Sequence, residues 1–152
     1  MQQTQSLAAS IAIGLLLIYF IITNHVDLAP LNNLAAAGSQ LASTLMAVIP
    51  FGMVLLGLRL EKGRWIYAGW IWSMVWLLLQ IRQWWQPYLF GPTFLHENFA
   101  WYFQHGYAET IKLVTVINGR PTPDLQHNIL QVLSLGVVLT LWSKVRTQSR
   151  SR

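Results

Sequence analysis

The side chains in this sequence that could hold a metal or move a proton near neutral pH are few: His25, His96, His105 and His127, with Asp27, Glu61, Glu97, Glu109 and Asp124. Two pairs carry helical spacing. His105 and Glu109 stand four apart and Asp124 and His127 three apart, so each pair shares a face wherever its segment is helical. Imidazole and carboxylate together suit zinc and other first-row metals, and a catalytic site of that kind keeps one position open for water. One expectation is therefore that His105, Glu109, Asp124 and His127 converge on a divalent metal or a polar ligand, with His96 and Glu97 nearby. Gly106 works against it, because a break there separates His105 from Glu109. The competing reading makes these residues solvated loop side chains plus a helix cap.

Other catalytic chemistry finds little support. There is no cysteine, which removes thiol nucleophiles, disulfides and thiolate metal sites. HExxH, GxSxG, SxxK, P-loop and GxGxxG patterns are all missing from the sequence. The expectation is a chain that is not an enzyme and carries no resident cofactor, with a divalent metal as the exception.

The elements that must position these residues follow from composition. Of 152 residues, 54% are apolar and only 10% charged, against about a quarter charged in a soluble domain. That balance leaves too little charge to clothe a water-soluble globule, so the class expected is a small integral membrane protein. A bilayer core of about 30 Å takes about 20 helical residues. Four runs qualify: Leu7–Thr23, Leu34–Leu58, Trp65–Ile81 and Leu125–Trp142. The expected fold is all-α, a single membrane domain over residues 1–152. Its four transmembrane helices bundle together, and a partly helical aromatic outer cap, residues 82–124, joins the third and fourth. The first run is expected to be retained rather than cleaved, since its leader MQQTQS has no positive charge.

Lys and Arg favour the cytoplasmic side of short loops. Arg59, Lys62, Arg64, Lys144, Arg146, Arg150 and Arg152 share one face in a four-pass arrangement, which places both termini in the cytoplasm, most simply at the cell membrane. The inner segments then carry +6 and the outer ones −1 of the net +5. This topology accounts for the basic pI, and no basic stripe interleaved with aromatics points to nucleic acid. The lipid bilayer is the expected partner.

Finer features lie within the runs. In the second, Gly38 with Ala42 and Ser39 with Ser43 offer a small-residue face for packing a neighbouring helix or a second copy. In the third, Trp70, Trp72 and Trp76 lie too deep for an interfacial belt, so they pack against helices or line an apolar groove. Beyond it, Pro87, Gly91 and Pro92 predict a break, Thr93 to Gly106 a short helix, Tyr107–Val116 a helix or strand, and Asn118-Gly119 a turn. Thr122 is the expected cap of the last span, with Pro123 at its first position. The leading expectation for function is a non-catalytic binding or accessory protein that uses its outer cap to bind a protein, lipid or small ligand. The alternatives are a metal-dependent membrane enzyme with an outward His/carboxylate site, or a facilitator for a neutral solute lined by Gln40, Ser43, Thr44, Gln80, Gln131, Ser134 and Thr140.

Overall fold

The computed structural model describes residues 2–34, 38–97 and 99–150. Their regular structure is helical: α1 Gln2–His25, α2 Leu41–Arg59, α3 Gly63–Phe90, α4 Phe99–Gln104 and α5 Leu125–Arg150, with 3-10 turns at Phe94–His96 and Tyr107–Glu109. Among the described residues, the single bridge Lys112–Asp124 is all there is of β pairing. The long helices form a ring in which α1 and α3 each pack against both α2 and α5. Neighbours run antiparallel. Gln5 of α1 bonds Ser143 and Thr147 of α5, while Tyr19, further along α1, bonds the Gln126 carbonyl at the start of α5.

Three of these helices, α1, α2 and α5, are long and apolar enough to cross a membrane. The third expected span is less apolar than its neighbours. α3 has 28 residues, about 42 Å at about 1.5 Å per residue, and its Trp, Tyr and Gln side chains lower its mean hydropathy. α1 shows how the bundle is built. Ala9, Ile13, Leu16, Phe20 and Thr23 are buried, at steps of three and four, whereas Leu7, Ile11, Leu15, Ile18 and Ile22 are exposed. Both faces are apolar, a pattern typical of helices without a water-facing side.

The structure corrects three local expectations. The second span does not start at Leu34: Gly38 has φ +62° and α2 begins only at Leu41, with residues 35–37 outside the described set. Gly38 and Ser39 therefore precede the helix and form no packing face with Ala42 and Ser43. Ala42 is exposed and Ser43 turns its hydroxyl back to Gln40. Close packing falls instead between α2 and α3. A Cβ placed on Gly69 would lie 2.2 Å from Val54 Cγ2, and one on Gly57 would lie 2.8 Å from Trp65 Cβ.

The break expected at Pro87 is also displaced. α3 runs through this buried proline and stops at Gly91, whose φ of 96° no β-carbon-bearing residue adopts easily. Proline lacks the N–H that would bond the carbonyl four residues back, here that of Gln83. His96 supplies the missing donor: its Nε2 lies 3.0 Å from Gln83 O, and its Nδ1 accepts the Thr93 N–H at 3.2 Å. His96 thus ties the Phe94–His96 turn to α3. Replacing His96 with alanine leaves both partners unbonded, and the expected loss is about 1–3 kcal/mol of stability. The check is a lowered unfolding midpoint, with faster amide exchange at Thr93.

Trp70, Trp72 and Trp76 pack against the core. Trp70 stacks on Trp142 at 4.9 Å, and Trp76 meets Phe20 edge-on at 5.3 Å. Trp72 also borders a groove with Pro50 and Gly69.

Candidate functional site

The cap and the helix ends beneath it enclose a cavity of about 720 Å³. Loop residues after α1 build one wall. Asn32 is buried there and holds the loop, donating to Thr23 O and Val26 O at 2.8 and 2.7 Å while accepting from Leu28 N–H. Asn33 reaches across to the His105 carbonyl at 2.9 Å. Trp84 and Gln83 come from α3, Trp101 and Tyr102 from α4, and Gln126 and His127 from α5. The expected Thr93-to-Gly106 helix is divided into a 3-10 turn and the six-residue α4.

Asp124 organises the floor. It is 1% exposed and sits immediately before α5. Its Oδ1 accepts the backbone N–H of His127 at 2.9 Å and the His127 Nδ1–H at 2.6 Å, and its Oδ2 lies 3.5 Å from Thr110 Oγ1. Asp124, rather than Thr122, is thus the N-cap of α5, because an aspartate before the first turn reaches the third free N–H directly. Pro123 stands outside the helix. Thr122 takes another task, its carbonyl accepting the buried Tyr107 hydroxyl at 2.6 Å.

Because a carboxylate only accepts, Nδ1 of His127 carries a proton, which in the neutral tautomer makes Nε2 the acceptor. The ring rests on Trp84, centroids 3.9 Å apart, and Trp84 stacks in turn on Tyr107 at 5.5 Å. The segment expected as helix or strand supplies the far side. After the 3-10 turn, Lys112 Nζ sits 3.7 Å above the Tyr107 ring and donates to the Tyr107 carbonyl at 2.6 Å and to Thr110. The Asn118-Gly119 turn forms as expected, with Gly119 at φ 73° and Arg120 N–H on Ile117 O.

Burial sets the titration of this cluster. It pushes the Tyr102 hydroxyl up to about 12, assisted by the charge of Asp124, and carries Tyr107 further in the same direction for the same reasons. Burial pulls Lys112 down to about 8, with Asp124 opposing the shift. An unfolded chain holds the Lys112 proton to about 10.5. It therefore binds more protons than the folded chain between the two values, and stability rises with pH across that window. The expected result is an unfolding midpoint that climbs from pH 7.5 to 9.5, and a flatter profile in Lys112→Met.

Of the residues expected to converge, the structure joins Asp124 with His127 and separates the rest. His105 bonds the Trp101 carbonyl through Nδ1 at 2.6 Å and stacks on that indole, on the exposed side of the cap. Gly106 adopts φ 105° and divides it from Glu109, which lies on the next turn. A left-handed residue between the two ends the helix register that would pair them. Both ring nitrogens of His96 are engaged as described. Glu97 lines the cavity with His127. Among the described residues, no three His, Asp or Glu side chains gather as a metal-holding group.

Sequence reasoning missed Asn32, Gln83, Trp84 and Gln126 as parts of this region. Polar amides in loops and helix ends carry no spacing signature, and neither does a single indole such as Trp84. No protein-family model, curated protein or solved structure matches this chain.

Proposed function

We propose that the chain is a four-pass membrane protein that holds a small ligand in the cavity at its outer face, without catalysing a reaction on it. The apolar exposed surfaces of α1, α2 and α5 support lipid as their surroundings, and α3 contributes Ile71, Val75, Leu78 and Leu79 to the same belt. A length of 28 residues is ample for α3 to cross as the fourth span. The cations at the α2–α3 link and along the end of α5 support a cytoplasmic position at the cell membrane for that end and both termini. The observation that carries the binding reading is the cavity itself. Its volume of about 720 Å³ falls in the range of small-molecule sites, about 300–1,000 Å³, and its aromatic walls alternate with a larger set of Asn, Gln, His and Thr side chains.

Permeation is less favoured, because two of the glutamines within the bundle are tied to neighbouring helices, although Gln80 Oε1 and Gln131 Nε2 stay unbonded among the described residues. Gln80 donates to Ser134 at 2.9 Å and Trp85 to Gln131 at 2.8 Å. One observation favours a second reading, catalysis, namely the Asp124–His127 contact of 2.6 Å. A histidine so held can act as a general base from its other nitrogen.

The cysteine-free sequence makes the test clean. Single substitutions Glu97→Cys and Gln126→Cys should react with a membrane-impermeant maleimide on intact cells, and Ser149→Cys only after permeabilisation. The reverse pattern overturns the topology. Native mass spectrometry of the protein released from nanodiscs should show one small-molecule adduct per chain that Trp84→Ala loses. A bare wild-type chain, or an adduct that Trp84→Ala retains, overturns ligand binding. A retained species whose mass differs between wild type and His127→Asn favours catalysis.

A further inference from the structure

We infer that the ligand is an uncharged ring bearing several hydroxyls, a sugar or a cyclic polyol, held between an indole face and amide side chains. This rests on the reading of the cavity as a ligand site and specifies its chemistry.

The charge of the walls excludes the commoner alternatives. No described residue lining the cavity is Lys or Arg, so a phosphate, sulfate or carboxylate would lose its hydration without a counter-ion. A cation would find Glu97 alone, since the Asp124 carboxylate is already taken by His127 and Thr110. A purely apolar guest is disfavoured too, because it would displace water from the polar groups that line this space without replacing its hydrogen bonds. Those groups are the side-chain amides of Gln83 and Gln126, which make no hydrogen bond to the described residues, and His127 Nε2.

What remains suits hydroxyls. Each amide offers two donors and an acceptor, and His127 Nε2 offers one acceptor more. A hydroxyl both donates and accepts, so it can bond either end of an amide, and a ring carrying several can engage both glutamines and the imidazole at once. The same ring presents a face of C–H groups. Trp101, stacked by His105 on one face only, offers its other face for such packing, while Trp84, stacked by His127 and Tyr107, holds the imidazole in place and lines the cavity with its rim. The cavity lies at the level where the spans give way to the cap, so the ring can arrive free from outside or as the headgroup of a glycosylated lipid.

Protein in phosphatidylcholine nanodiscs provides the test, with tryptophan emission as the readout. It is titrated with the methyl glycosides of glucose, galactose and mannose, and separately reconstituted into discs doped with monoglycosyl diacylglycerol. Inorganic phosphate and choline serve as charged comparators. The expected result is a saturable response to at least one glycoside, at least tenfold weaker in Gln83→Leu/Gln126→Leu, and none to phosphate or choline. That double variant keeps every tryptophan, and far-UV circular dichroism checks its fold. A response to doped discs alone identifies a lipid headgroup, and one to methyl glycosides identifies a free sugar. Silence toward every glycoside, saturation by phosphate or choline instead, or a double variant that responds like wild type overturns the inference. If Gln126→Cys is labelled from outside while the glycosides are silent, the sugar chemistry fails and the outer pocket stands. If Gln126→Cys is not labelled, the pocket reading itself has failed.

Discussion

Asp124→Ala lowers stability by about 2–4 kcal/mol, the joint effect of losing an N-cap and of stranding buried partners. The carboxylate is almost wholly buried and holds three groups at once: the first turn of α5, the His127 ring and the Thr110 hydroxyl. Removing it leaves the His127 N–H groups without an acceptor beneath a closed aromatic layer. Asp124→Asn retains an oxygen in the same place and caps nearly as well, so its loss is expected to stay below about 1.5 kcal/mol. Unfolding in graded SDS mixed micelles measures both. Equal losses for the two variants would show that the negative charge, rather than the acceptor geometry, is what the site requires.

Gly69→Ala carries the other large effect. An added Cβ meets both Val54 methyls at far less than van der Waals distance, and since alanine has no rotamer to choose, Val54 or the α2 backbone must shift. Inserting one carbon into such a contact costs about 1–3 kcal/mol even though alanine is the better helix former. Val54→Ala in the same chain removes the obstructing methyls, so the double variant is expected to recover most of the loss. The coupling energy of that cycle locates the α2–α3 contact, and additive effects would disprove it.

Much of the architecture can be read directly from composition. Long uncharged runs announce α1, α2 and α5, and the cations cluster at one end as the runs require. The ends of elements are harder. Gly38 looks like part of a small-residue stripe, but its positive φ turns the chain before α2 begins. Pro87 looks like a stop, yet a histidine nine residues on makes the helix tolerable. The His/carboxylate spacing is half informative: Asp124 and His127 meet because one caps the other's helix, whereas Gly106 removes the register that would join His105 to Glu109. The amides of the cavity left no trace in the sequence, since their proximity comes from loop closure and helix docking. Nor could periodicity reveal which face of α1 looks inward, because both faces are equally apolar.

The bond from His96 to the carbonyl that Pro87 leaves open has a consequence for sequence change. The dependence runs one way: beside an ordinary helical N–H the imidazole still finds the second lone pair of the Gln83 carbonyl, whereas the proline without the histidine leaves that carbonyl an orphan. Losing His96 should be far milder once Pro87→Ala has restored the ordinary helical N–H. A lineage carrying this chain can therefore abandon the histidine only after the proline, and the order of the two exchanges is dictated by the backbone.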